Sequence, residues 1–419
     1  MVRTILVPMS GVKSVAVGVY VGTGSRYESK KENGMSHFLE HLVFKGTEKF
    51  KSYKEVNRFI ENLGAIQNAG TGTDSTMFYC KIPGDHIDLG LEFISQLVVH
   101  PKLRQKDLED ERRVILEEIS WVQDRPDELV GDTLNQLMYP GHGLGRDIQG
   151  TAETVTGFTA DDLREYWKEQ YVAPNMVVAV AGDKNKVQDS RVKDQLERLF
   201  DGVPNTKGRK FPKFVEKQSQ PAVMTKNKSE FKQTNIALGV FGVSTTDPRR
   251  FAQSILVTIL GRGFSSRLQE EVREERGLCY GIGAYEVKRK DGGMIAVGAD
   301  LNTEKLPEAI TAILREMTKL KEQLVGEGEL AAAKEKIRGP LLFGAENPFN
   351  QMEFYARQVL EKPHDVLSYD MVIDRLMGVT AEEVRDLACE VFKTEKLNLA
   401  VVGPVEDNGD SDLKQLLRI

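Results

Sequence analysis

NMVVAVAG (175–182) and KLNLAVVG (396–403) are one apolar strand written twice, 221 residues apart. Two further pairs keep that offset: VAVGVYV (15–21) with IALGVFG (236–242), and GFTADDLR (157–164) with GVTAEEVR (378–385). A single offset at both the start and the end of a segment marks a duplication, and a repeat governs every later reading of the chain. Between those anchors, GMSHFL (34–39) aligns with GFSSRL (263–268) at offset 229, so small gaps separate the copies. The reading is two homologous domains, 1–203 and 222–419, joined by a linker at 204–221. The stretch GVPNTKGRKFPKFVEKQSQP (202–221) has three prolines, two glycines, scattered basic residues and no apolar period, which is linker composition.

Both copies carry the same elements. Strands at 4–8 and 15–22, or 234–242, come first. A hairpin follows around 66–83 or 280–301, then long helices at 86–98 and 105–123, or 304–322 and 327–341. A helix then opens at Thr159 or Thr380, each placed to cap a first turn rich in acids. The copy closes on the apolar strand quoted above. Strands and helices mix without strict βαβ alternation, so the expected fold class is α+β: two duplicated mixed domains, each an antiparallel-rich sheet packed with helices.

Composition limits the function classes. The 419 residues are 40% hydrophobic and 29% charged, with net charge −6 and pI near 5.8, as in a soluble globular protein of more than one domain. The acidic balance argues against nucleic acid as a partner. Cys80, Cys279 and Cys389 are odd in number and far apart, so neither a disulfide framework nor a thiolate metal site is expected. No run of 18 apolar residues occurs and the start lacks a secretory pattern, so no membrane partner and a cytoplasmic location are the expectations.

The segment SHFLEHLVFKG (36–46) carries the chemistry. It has no helix breaker before Gly46, and on a helix His37 and His41 lie one turn apart on the same face. Glu40, three residues after His37, shares that face. This is H-x-x-E-H. Two neutral imidazoles suit zinc, a third carboxylate ligand leaves one position for water, and the intervening glutamate can take that water's proton. Among six histidines in the chain, two fall in this pattern. The helix LEDERRVILEEIS (108–120) offers Glu111, Glu117 and Glu118 as third ligand, and spacing alone does not choose among them.

With these motifs the sequence resembles the pitrilysin/insulinase family of zinc peptidases, and within it the bacterial branch similar to mitochondrial processing peptidase. In that family the third ligand follows H-x-x-E-H by about 76 residues, which here lands on Glu118, inside ERRVILEE (111–118). The resemblance implies one Zn2+ per chain on His37, His41 and Glu118, with Glu40 as general base and Glu111 orienting a ligand histidine. ENLGAIQNAGTGTDSTMFYCKI (61–82) matches the family's substrate-pairing edge strand, with Asn68, Ala69 and Thr71 at the matched positions; Gly70, Gly72 and Thr73 depart from it. GRGFSSRLQEEVREERGLCYGIGAY (261–285) matches a second-half motif in which an arginine and a tyrosine contact substrate, here Arg273 and Tyr280. The second copy has Ser266, Gln269 and Glu270 opposite His37, Glu40 and His41, with Pro340 or a near neighbour opposite Glu118, so it cannot build the same site.

The implied function is a zinc metalloendopeptidase that hydrolyses peptides or extended unfolded segments in an enclosed, clamshell-like chamber. The chain length fits the branch that forms dimers, either a homodimer or a heterodimer with an inactive homologue. The alternative is a non-catalytic scaffold or partner subunit of the same fold, which such subunits mark by losing the metal motif. Narrow processing of one dedicated precursor is a further variant with the same chemistry.

Overall fold

The structure, a computed structural model, describes residues 1–406 and 410–419. It contains two five-stranded sheets of the same topology. The first has β1 (Arg3–Met9), β2 (Ser14–Val21), β3 (Ile66–Thr71), β4 (Thr76–Pro83) and β5 (Met176–Asp183), in the order β1-β5-β2-β4-β3. The second has β6 (Ala222–Asn227), β7 (Thr234–Gly242), β8 (Cys279–Arg289), β9 (Gly292–Leu301) and β10 (Asn398–Gly403), in the order β6-β10-β7-β9-β8. In each sheet only the outermost pair, β1 with β5 or β6 with β10, is parallel. The α+β reading and the duplication hold strand by strand.

The quoted apolar strands are apolar on consecutive residues because both sheet faces are covered. On β2, Val15, Val17, Val19 and Val21 join Phe78, Ile82, Val178 and Val180 in the main core of the first unit. The alternate residues Ala16 and Tyr20, with Val177, Ala179 and Ala181, face the other way, against Met352 and Ala356. Those two belong to the helix Pro348–Glu361, from the far end of the sequence. The second unit repeats the arrangement in reverse. Ala237, Met294, Ala296, Ala400 and Val402 pack against Leu129, Leu134 and Met138 of the helix Pro126–Met138.

The compact units are therefore not contiguous halves. The first comprises Met1–Ser120, Arg146–Pro212 and Phe343–Leu367, and the second comprises Trp121–Gly145, Lys213–Leu342 and Ser368–Ile419. This differs from the expected 1–203 and 222–419, because each half of the sequence lends one helix to the other half's sheet. The repeat left a trace of the exchange. A Cβ on Gly18 would stand 2.6 Å from Met352 Sδ, and one on Gly239, its repeat partner, 2.9 Å from Met138 Sδ. Small residues at these two positions let the lent helix lie close to the sheet.

No helix or strand spans 204–221, yet the segment is pinned. Arg209 pairs with Glu32 and Glu169 at 2.7 Å each and lies over the Tyr166 ring. Further on, Lys396 pairs with Glu216 at 2.7 Å and Asn398 donates to Gln218. Among the described residues no helix is long and apolar enough to cross a membrane.

Candidate metal centre

The helix Met35–Leu42 presents His37 and His41 one turn apart, their rings 4.7 Å between centroids. Its start is set by Gly34, which has φ +101° and touches the loop at Gln149 and Gly150; a Cβ there would stand 2.6 Å from the Gln149 carbonyl. The buried Glu28 carboxylate caps this turn, accepting from the backbone N–H of Gly34 at 2.8 Å and of Ser36 at 2.7 Å. The Ser36 hydroxyl bonds Tyr166 at 2.8 Å, which ties the helix to its neighbour Ala160–Gln170. The residues that build the site are thus held from behind by satisfied polar groups.

The second contributor is the helix Gln105–Gln123. Leu108 and Ile115 anchor it in the core, and Val114 is exposed. This rotation separates the glutamates: Glu111 is buried, Glu118 half-buried and Glu117 exposed. Glu118 Oε2 stands 3.7 Å from His37 Nε2 and 3.8 Å from His41 Nε2. Donor atoms on a tetrahedral zinc, with bonds of about 2.0–2.2 Å, stand roughly 3.3–3.6 Å apart. One atom each from His37, His41 and Glu118 lies within 4.8 Å of the others, and among the described residues no other His, Cys, Asp or Glu group of this kind occurs. The donor set, two imidazoles and a carboxylate, fits zinc.

The surrounding groups tune these ligands. Glu111 Oε1 lies 2.8 Å from His41 Nδ1, so an Nδ1–H donated to Glu111 leaves Nε2 with its lone pair free. Glu111 is itself paired with Lys45. Burial, then the nearby His41 charge, depresses the His37 pKa to about 3, which keeps it neutral and able to ligate. Burial opposes charge on His41, but the hydrogen bond and charge of Glu111, with Glu40 and Glu118 nearby, raise its pKa. The His37 Nδ1 is buried with no hydrogen-bond partner among the described residues.

Glu40 shares the helix face but is not one of the three converging residues. Burial raises its pKa, against an opposing hydrogen bond from the Thr71 hydroxyl at 2.6 Å. Thr71 ends β3, the edge strand of its sheet, so Thr71 touches the carboxylate expected to act as base. On the same strand Asn68 is exposed and its Oδ1 accepts from the Ala69 N–H at 2.9 Å. A cavity of about 420 Å³ opens here, lined by Glu40, His41, Phe44, Tyr53, Asn68 and Ala69.

One participant was not read from the sequence. Gln149 Nε2 donates to Glu118 Oε1 at 3.0 Å and so orients the candidate carboxylate ligand. The available signal was the glycine-rich run 140–150, whose Gly150 packs against Gly34. Arg273 and Tyr280 lie in the second unit, beside one another: Arg273 Nε donates to the Tyr280 carbonyl at 2.8 Å, Arg273 pairs with Glu274, and the Tyr280 side chain is exposed. They stand on the π-helical turn Gln269–Glu275 and on β8. Near that turn, Ser266, Gln269 and Glu270 occupy the repeat positions of His37, Glu40 and His41.

Comparison with known proteins places this geometry among relatives. Residues 3–152 match the family model described as Insulinase (Peptidase family M16), and residues 157–337 match the Peptidase M16 inactive domain. A Bacillus subtilis protein named uncharacterized zinc protease YmxG is 33% identical over 404 residues, covering 96% of each chain. An Arabidopsis thaliana protein, probable mitochondrial-processing peptidase subunit beta, is 28% identical and aligns with 95% of this chain and 76% of its own. Among solved structures, a Helicobacter pylori protease superposes with TM-score 0.86 at 21% identity, covering 95% of this chain and 96% of its own. A chain of Candida albicans complex III2 does so with TM-score 0.83 at 16% identity, covering 100% and 98%.

Proposed function

The chain belongs to the insulinase family, peptidase family M16, and on that premise we propose that it is a zinc-dependent endopeptidase acting on peptides or extended, unfolded segments. The observation that carries this reading is the convergence of His37 Nε2, His41 Nε2 and Glu118 Oε2, with Glu40 on the same helix face and not among them. Bound there, one zinc ion per chain would supply Lewis acidity to the scissile carbonyl and to a water molecule. The chain's own residues do the rest. Glu40, its pKa lifted by burial, takes a proton from the attacking water and returns it to the leaving amine. Glu111 holds the His41 ring, and Gln149 holds Glu118. Substrate backbone adds to the β3 edge at Asn68–Thr71, where main-chain hydrogen bonds give affinity with little sequence selectivity. Arg273 and Tyr280 are assigned to substrate by the motif they occupy, with a guanidinium or phenol suited to charge developing on the carbonyl oxygen.

The non-catalytic reading draws on the same fold appearing in a chain of complex III2. It has no use for a buried His37 and an oriented His41, and the peptidase reading explains both. The test is metal reconstitution. Protein stripped with chelator should bind one zinc per chain and regain peptide hydrolysis in proportion to it, and His37→Ala should do neither. Activity that persists without divalent metal would end the reading.

A further inference from the structure

The largest fully buried side chain among the described residues is a charged one, Arg26. An unpaired guanidinium in a core is costly, so its partners have to be read together. Its Nη1 donates to Asp74 Oδ1 at 2.7 Å, its Nε donates to the Pro212 carbonyl at 3.1 Å, and its guanidinium carbon stands 4.2 Å from the centre of the Phe211 ring. Asp74 lies in the 72–75 turn between β3 and β4, and Phe211 and Pro212 lie in the segment that follows the first half of the sequence. The backbone closes the same turn. The Arg26 N–H donates to the Thr73 carbonyl at 3.0 Å, and a Cβ on Gly24 would stand 2.2 Å from the Gly72 carbonyl, so only glycine admits this approach. The turn begins where β3 ends, at Thr71, whose hydroxyl donates to Glu40.

We propose that Arg26 is a positioning residue for Glu40: it anchors the 72–75 turn to the Phe211–Pro212 segment and thereby fixes the Thr71 hydroxyl that holds the Glu40 carboxylate. The linker then does more than join two halves, because its first part is a strap behind the catalytic face. The proposal rests on Glu40 acting as general base. Losing the guanidinium would remove a side-chain anchor of this sheet-edge turn, and a general base displaced by a fraction of an ångström loses rate without losing substrate.

The test uses the full-length, zinc-loaded protein with four single variants: Arg26→Lys, Phe211→Ala, Thr71→Val and Thr71→Ser. Three quantities are measured: zinc content, kcat and KM on a cleaved peptide, and hydrogen exchange at the amides of 72–75. Arg26→Lys and Phe211→Ala should retain zinc, speed exchange at the turn by about tenfold, and lower kcat by about tenfold with KM within about twofold. Thr71→Val should give a similar fall in kcat, and Thr71→Ser should restore it. Combining Arg26→Lys with Thr71→Val should lower kcat no further than the worse single change, since both act through one hydroxyl. Phe211→Ala removes no charge, so it decides the matter if Arg26→Lys fails to fold. Unchanged exchange at the turn, or fully additive kcat losses, would overturn the proposal. A wild type that cuts no peptide would remove the role of Glu40, while the exchange rates would still decide whether Arg26 anchors the turn.

Discussion

His41 and Glu111 are joined by a hydrogen bond of 2.8 Å at Nδ1, on the side of the ring away from Glu118. That bond selects which nitrogen of His41 would be left to bind metal; burial opposes charge on Glu111, but the His41 bond and then the Lys45 pairing lower its pKa and favour the ionised, accepting form. Glu111→Gln should therefore weaken zinc binding by about 10- to 100-fold with the fold intact. Competition with a chromophoric chelator measures this directly. Zinc affinity equal to that of the wild type would mean that Glu111 does not orient the ligand.

Gln149 does for Glu118 what Glu111 does for His41, through a neutral donor. Gln149→Ala should reduce zinc affinity less than Glu111→Gln does, by up to about tenfold. The same chelator competition ranks the two, and a larger loss at Gln149 would reverse the assignment of roles.

Gly34 is required by both conformation and space. With φ +101° and the Gln149 carbonyl against its missing side chain, Gly34→Ala should destabilise the protein by more than about 2 kcal/mol. It should also weaken zinc binding, because the start of the histidine helix must shift. Thermal unfolding with and without zinc reports both effects. A melting temperature unchanged from wild type would contradict this account of the helix start.

The exchanged helices make a prediction about location. Met352 is fully buried on the first sheet although it belongs to the second half of the sequence. Met352→Ala should cost about 2–5 kcal/mol, and the loss of hydrogen-exchange protection should appear in β2 and β5. Loss confined to strands β6 to β10 would show that the helix does not pack as described.

Stability against acid should depend on Arg209. Partial burial would raise the Glu32 pKa, but hydrogen bonds from Arg209 and from the Ser29 backbone hold it down at about 2. A carboxyl with a depressed folded pKa stabilises the protein above its unfolded value and loses that contribution as pH falls through the folded value. Arg209→Met should thus be less stable than wild type in urea at pH 6, and the gap should narrow as pH falls from about 4.5 toward 2. A gap that widens in acid would contradict the sign.

Much of this was legible in the sequence, for identifiable reasons. The strands β2, β5, β7 and β10 are near-continuous apolar runs, and the helices Gln105–Gln123 and Leu306–Glu322 match the expected 105–123 and 304–322. Helical period alone brings the two histidines and Glu40 to one face of the helix Met35–Leu42. Choosing Glu118 over Glu111 and Glu117 needed the family spacing, because the rotation of that helix is set by packing. The helix exchange left only Gly18 and Gly239 as signs, and a glycine in an apolar strand does not say which helix fills the space above it. β6 was missed because AVMTKN (222–227) is short, half-exposed and follows a linker. Gln149 and Arg26 were invisible for a different reason: their partners lie 31 and 48 residues away.

The most direct test of the central claim is mass-spectrometric mapping of cleavage in a pool of peptides of roughly 10–40 residues, which span the length of an extended bound segment. Zinc-loaded wild type is compared with zinc-loaded Glu40→Gln. The account predicts internal cleavage by the wild type and a loss of about 10²–10⁴-fold in the variant, with zinc content equal in both. Equal cleavage by the two proteins, or none by either while both hold zinc, would contradict it.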